Sequence, residues 1–465
     1  MQRFWKKWQP LLIDKILLFA GQTAGAFRYN NEYKKEKIMK FKSKIISVVC
    51  CTAACSVAFT ACSSGKATVL GKPLEAAPLN YSDRKTVEFT AFKDKVESFA
   101  ARLAAETYDG SGENFAVSPV SVYMALSLAA ECAGGDTRGE ILSALGVSYG
   151  ELSVNFPTLY RSLVYESKNK SCILNLSNSI WVNEGTPVKQ SCIDKLSETY
   201  YSYSYAADFL NDNQNANKAV RKFVKDKTRG LIDKEFNLSE ETLFTLINTL
   251  YLKTVWNEHG RDLPLTEEYT FTSSDGATTK KKLVQGDYNG GQVYEAEKYS
   301  AFYTATSDNF KLKFIVPKDG YGVDDVFTAE NLAAVNAVKD YRAFDEVKNI
   351  RYETRCLFPE YECSYDGDLI PVLQEKFGIS ELFGDGCDFS TLSDSPCYCS
   401  AVRHTAKLTV DKKGIEGAAV TYIAMDGSAA PVETVYADFV IDRAFGFIIT
   451  DPYDTTLFSG VVNKI

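Results

Sequence analysis

The stretch from Val120 to Ala133 limits what this chain can fold into more than any other. It reads VSVYMALSLAAECA, and Glu131 is its only charged residue. Ser118 stands where an N-cap belongs, Pro119 occupies the first helical position, and Gly134-Gly135 follows as a stop. The spacing therefore predicts a helix. A helix apolar on nearly every face cannot lie on a surface. It needs other elements packed all around it, and so a large domain with a sizeable core.

The rest of the chain can supply that core. Of 465 residues, 45% are hydrophobic and 24% charged, an ordinary balance for a globular protein. Charge is spread unevenly. Residues 1–62 hold eleven Lys or Arg against three Asp or Glu. With −8 on the whole chain, residues 63–465 carry −16. A body this acidic would repel a phosphate backbone, so no nucleic-acid partner is expected. His259 and His404 are the only histidines. They leave almost no material for an imidazole metal site, and no metal or other cofactor is expected. Of twelve cysteines, Cys50, Cys51, Cys55 and Cys62 fall in or at the end of an export segment. The other eight are scattered, with Cys397 and Cys399 too close for a CxxC zinc knuckle. They read mostly as small buried hydrophobes, with room for one or two disulfides outside the cell.

The export segment starts at Met39. Lys40, Lys42 and Lys44 form a basic start, and an apolar stretch from Ile45 to Ala61 ends in small residues before Cys62. This is a secretory layout, too short and too rich in small residues for a comfortable membrane span. Phe59-Thr60-Ala61-Cys62 resembles a bacterial lipobox, which would make Cys62 the lipidated mature N-terminus. A plain secretory signal cut nearby is the other reading. Residues 1–38 read as an over-extended start, 39–62 as the signal and 63–84 as a tether. Residues 85–465 show no second linker or repeat and read as one domain, expected as a monomer and touching a membrane only through the lipid.

Within that domain, helices are expected early, at Lys93–Thr107, Val120–Ala133 and Asn217–Thr228. Strands are expected late, at Leu243–Lys253, Phe310–Pro317, Arg351–Pro359, Ser400–Asp411, Phe439–Thr450 and Leu457–Val462. Segregation of this kind predicts an α+β fold with large antiparallel sheets.

Several stretches in a fixed order are similar to the serpin family of serine protease inhibitors, across 85–465. Asn114-Phe115-Ala116-Val117-Ser118-Pro119-Val120-Ser121 resembles the opening of the family's second helix, and Gly134-Gly135-Asp136-Thr137 follows. Leu246-Ile247-Asn248-Thr249-Leu250-Tyr251-Leu252-Lys253, continuing to Trp256, resembles its central strand. Asp388-Phe389-Ser390 and Val402-Arg403-His404-Thr405-Ala406 lead into Val410-Asp411-Lys412-Lys413-Gly414-Ile415-Glu416-Gly417-Ala418-Ala419. Asp442-Arg443-Ala444-Phe445-Gly446-Phe447 and Leu457-Phe458-Ser459-Gly460-Val461-Val462-Asn463 close the domain, with Ala444 where the family has Pro. The resemblance implies three sheets, eight or nine helices and an exposed reactive loop, which is cleaved as bait and then inserts into the main sheet. The protein would be an inhibitor and not an enzyme.

The loop's own chemistry can be read without the family. An inserted strand alternates at period two. Ile415, Gly417, Ala419, Thr421, Ile423 and Met425 are all uncharged, and both acids, Glu416 and Asp426, fall on the other face. No proline interrupts 414–430, so no ladder donor is missing. Gly414, Ile415, Glu416, Gly417, Ala418 and Ala419 form the hinge, with Gly414 giving the backbone freedom. Inhibitory members carry a smaller residue than Ile415 and an alanine where Gly417 stands; Ile415 is still buriable.

Counting from the hinge as in inhibitory relatives puts the reactive bond between Ser428 and Ala429. Met425 and Asp426 form the runner-up pair, within a window of 425–430. The window lacks Arg and Lys, which a trypsin-like pocket requires. An extracellular elastase- or subtilisin-like serine protease is the expected partner. The alternative is a non-inhibitory, serpin-like binding protein whose loop is only a substrate. Ser118, Ser121, Asn248 and His404 match the polar cluster with which the family latches the opening of its main sheet. A Ser-His hydrolase is the different-class alternative, and no G-x-S-x-G motif supports it. Trp256 is expected to pack beneath the hinge.

Overall fold

The computed structural model describes residues 65–77, 79, 81–257, 261–338, 341–384, 386–395, 398–399, 402–416 and 433–465. The expectations placed on residues 1–64, Cys62 included, and on Gly417, Ala418, Ala419, Met425, Asp426, Ser428 and Ala429 lie outside the described residues. The fold is α+β, with nine α-helices among the described residues and three sheets.

The all-apolar segment forms the helix Pro119–Cys132, and every one of its residues is buried. Helix Val87–Thr107 covers one side of it. There Phe89, Phe92, Val96, Phe99, Leu103 and Ala104 make a buried stripe at helical spacing. This helix starts six residues before Lys93, because the Thr86 hydroxyl accepts the Phe89 N–H at 3.1 Å and nucleates an exposed first turn. Helix Asn213–Lys227 begins four residues earlier than expected.

The main sheet runs in the order Thr68–Gly71, Ser202–Ala207, Ile173–Asn183, Phe244–Val255, Gly414–Ile415, Arg403–Val410 and Tyr361–Asp368. Its two inner strands Ile173–Asn183 and Ser202–Ala207 lie in the half of the chain read as helical. Ile173–Asn183 is buried on both faces, so the alternation that betrays a strand is absent. Thr68–Gly71, within the expected tether, pairs antiparallel with Ser202–Ala207 and caps that sheet edge.

A second sheet holds Tyr299–Ala305, Lys311–Pro317, Phe445–Thr450, Thr456–Val462 and two short strands. The third is built on Ile350–Phe358. The single strand expected over Phe439–Thr450 is two strands. Glu433–Val440 runs parallel to Ile350–Phe358 in the third sheet, whereas Phe445–Thr450 belongs to the second. Ile441 to Ala444 make the crossing, with Asp442 and Arg443 only half-buried. Asp442 and Arg443 are the one break in the apolar run, and they fall at the change of sheet.

Cys172, Cys356 and Cys363 are buried free thiols, and burial pushes each of them up from its ordinary value. Thiol reagents act on the thiolate. All three are therefore expected to stay unmodified by an aromatic disulfide reagent in buffer and to react in urea. Mass spectrometry of the labelled peptides reads the difference.

Candidate functional site

Strand Arg403–Val410 alternates, with His404, Ala406, Leu408 and Val410 facing the core. At its end Asp411 builds a tight turn. Its Oδ1 accepts the N–H groups of Lys413 at 2.7 Å and Gly414 at 3.1 Å, and its own N–H donates to the Gly414 carbonyl at 3.0 Å. The chain then returns as the short strand Gly414–Ile415. Ile415 pairs with Val410 on one side and Thr254 on the other, and Gly414 pairs with Val255. The first two hinge residues are thus already a strand inside the main sheet, and Ile415 is fully buried.

Gly414 is there for a reason other than freedom of its backbone. Its φ lies outside the left-handed region. A Cβ at this position would overlap the Thr254 carbonyl oxygen and lie 2.9 Å from the Val255 Cα, so close approach of two backbones excludes any side chain. The positive φ falls instead on Glu416, at 46°.

Trp256 packs where expected. It is 3% exposed, with its ring edge on Phe358 at 5.4 Å. It also holds the turn: its indole N–H donates to the Asp411 carbonyl at 2.6 Å and its backbone N–H to the Lys413 carbonyl at 3.3 Å. Leu263 N–H caps the Lys412 carbonyl at 2.7 Å.

Beyond the hinge, strands Phe244–Val255 and Arg403–Val410 share no ladder among the described residues. Each is antiparallel to Gly414–Ile415, so they run in the same direction on either side of it. At the far end an isolated parallel bridge joins Phe244 to Cys399. The seam between them is therefore closed at its two ends by few backbone hydrogen bonds.

Three of the four cluster residues meet. His404 Nε2 accepts the Ser118 backbone N–H at 3.0 Å, and the Ser118 and Ser121 hydroxyls are 2.9 Å apart. Burial, with the Lys234 ammonium adding to it and Asp366 opposing it, pushes His404 down to about 4. The ring is neutral at physiological pH, which suits Nε2 as an acceptor. Ser118 takes the N-cap position, yet its hydroxyl turns to Ser121 and makes no cap bond. Asn248 stands apart. Its amide bonds across the sheet to Asn178, while its Oδ1 is buried without a partner.

This arrangement is not a hydrolase dyad. The only free lone pair of the imidazole is occupied by a backbone N–H, so His404 cannot take a proton from a serine hydroxyl. One contributor escaped the sequence reading: Asp411, whose turn chemistry before Lys412-Lys413-Gly414 could have shown it.

The Serpin (serine protease inhibitor) family profile matches residues 94–465. The chain is similar to Iripin-1 of Ixodes ricinus, 27% identical over 382 residues, covering 79% of this chain and 93% of that protein. It is 26% identical over 361 residues to the corticosteroid-binding globulin of Ovis aries, covering 76% and 80%. Among solved structures it shares the fold of the thermophilic serpin tengpin in its native state, with a TM-score of 0.64 at 22% identity, covering 86% of this chain and all of that one. With the family match spanning most of the chain, and three sheets and nine helices among the described residues, this protein belongs to the serpin family of serine protease inhibitors.

Proposed function

We propose that the protein is a suicide-substrate inhibitor of extracellular serine proteases of the elastase or subtilisin type. The observation that carries this is the hinge: Gly414–Ile415 is seated between two long strands that share no other ladder among the described residues. A strand growing from that point gains ladder bonds on both edges, each worth roughly 0.5–1.5 kcal/mol net. Over a dozen residues this amounts to about 10 kcal/mol, comparable to the stability of a whole domain. Insertion of the cleaved loop would drag an acyl-linked protease with it and displace its oxyanion-hole donors, which slows deacylation. Cleavage between Ser428 and Ala429 places the acyl bond on Ser428; Met425–Asp426 is the second choice. Cys62 carries a lipid in this reading, which makes the protein a monomeric cell-surface inhibitor.

Incubation of residues 63–465 with elastase- and subtilisin-type proteases, followed by a denaturing gel, tests the proposal. A covalent band and loss of protease activity are expected, and the mass of the released C-terminal peptide identifies the bond. Cleavage without a complex and with full protease activity would establish the non-inhibitory reading instead, a role that the name of the corticosteroid-binding relative illustrates for that protein.

A further inference from the structure

Away from the hinge, a cleft of about 660 Å³ opens between several separate stretches of chain. The turn Asp451–Tyr453 lines it, with Arg84 from the short helix Tyr81–Lys85, Arg161 from the end of helix Tyr149–Ser162, the strand Val164–Glu166 and Phe310. Most of its charged groups are taken. Asp308 accepts the Tyr165 hydroxyl at 3.4 Å, Glu166 pairs with Arg229 at 2.8 Å, and Arg161 donates to the Ala77 carbonyl at 2.8 Å. Two are left short of partners. Asp451 is 1% exposed, and its Oδ1 accepts the N–H groups of Tyr453 at 2.9 Å and Thr455 at 2.7 Å, but its Oδ2 is buried with no hydrogen-bond partner. The Arg84 guanidinium lies over the Tyr453 ring at 3.6 Å, yet its Nε is also buried with no partner. Buried polar atoms of folded proteins are nearly always bonded, and a charged group left unbonded is costly. One orphan of each sign on a single cleft is therefore a pattern that folding alone does not favour.

We infer that this cleft binds a small zwitterion of the amino-acid or short-peptide class, its ammonium group meeting Asp451 Oδ2, its carboxylate meeting Arg84, and its apolar part lying against Phe310 and Tyr453. The inference stands apart from the inhibitory reading and needs no insertion of the loop. A lone cation would answer Asp451 and leave Arg84 short. A lone anion would do the reverse and would sit among three carboxylates, those of Asp308, Glu166 and Asp451. A ligand carrying both charges serves both. The volume is that of ordinary ligand clefts and admits a dipeptide. Loss of water disfavours the charged form of each orphan, moving Arg84 down and Asp451 up from their ordinary values. Matching charges on a ligand restore at contact what water no longer supplies.

Titration calorimetry tests this on residues 63–465, which hold every described residue and the whole of one compact unit. The probes are L-alanyl-L-alanine, its N-acetyl form, its C-terminal amide and free L-alanine. The dipeptide should bind, and each blocked form should bind about tenfold more weakly, the loss expected for one charged hydrogen bond. Asp451→Asn keeps the Oδ1 acceptor that holds the turn and removes the charge. It should weaken the dipeptide about tenfold and leave the N-acetyl form unchanged. Arg84→Gln should also weaken the dipeptide about tenfold but spare the C-terminal amide instead. Thermal melts followed by circular dichroism check that the variants are folded, and if Asp451→Asn is not, the Arg84→Gln arm decides. L-alanine bound as tightly as the dipeptide would uphold the site with a single amino acid as its ligand. No heat from millimolar dipeptide on the folded wild type would mean that water alone serves the two atoms, and the inference falls. It falls equally if the dipeptide and both blocked forms bind alike, or if neither variant changes the affinity for the dipeptide.

Discussion

Gly414→Val is expected to turn the inhibitor into a substrate. The hinge strand lies so close to Phe244–Val255 that a β-carbon at 414 would overlap the Thr254 carbonyl oxygen, and both collision partners are backbone atoms of a central strand. Both follow directly on Lys253, the last residue of that strand paired with Ile173–Asn183, so moving them pulls on the end of that ladder. The valine must therefore leave the sheet and take Ile415, now fully buried, with it. Exposing an isoleucine costs about 2 kcal/mol, and the backbone bonds of both residues are lost as well. Growth of the strand would then start from nothing. The protease should cleave the loop at an unchanged rate, and the fraction trapped as a covalent complex should fall by about a hundredfold, since 1.4 kcal/mol is a factor of ten. The number of inhibitor molecules consumed per protease inactivated measures this. A variant that still traps with wild-type stoichiometry would show that the seated hinge is not what starts insertion.

His404 should make the fold acid-sensitive. Its ring is neutral and accepts the Ser118 N–H, and it is held at about 4, against 6.5 for a free imidazole. Because the folded value lies below the unfolded one, the unfolded chain binds the extra proton first as pH falls. The contribution is fully present above pH 6.5 and disappears progressively toward pH 4. The gap corresponds to about 3 kcal/mol, a large share of a domain's stability. His404→Gln keeps an acceptor for Ser118 but does not titrate. Urea unfolding at pH 7.5 and pH 4.5 should show the wild type losing more stability than the variant by about that amount. Equal losses would mean that groups other than His404 carry the acid response.

Much of this architecture can be read from the residues. Pro119–Cys132 had to be central because no face of it tolerates water, and the Arg403–Val410 strand shows its inward face by alternation. Other features carry less of a local mark. Ile173–Asn183 is covered on both sides and mixes Asn and Ser with aliphatic residues, so neither a period of 2 nor one of 3.6 stands out. At the change of sheet between Val440 and Phe445, Asp442-Arg443 show where the run breaks but not which distant partners each half joins. At the hinge, Gly414 reads as a flexible joint, since a sequence shows the absence of a side chain but not the neighbour that requires it. Asn248 reads as part of the Ser118–His404 cluster, yet it faces its ladder partner Asn178.

The seated hinge strand also bears on time. In any cooperative ladder the first pairs are the slow ones, because they fix backbone freedom before neighbouring bonds reward it. Gly414 and Ile415 have made those pairs in advance. In the proposed mechanism only elongation remains once the loop is cut, running against the clock of acyl-ester hydrolysis. Whether one encounter ends in a trapped protease or a free one is then a branching ratio between two rates, and a modest change in either redistributes the products without altering the affinity of the first contact.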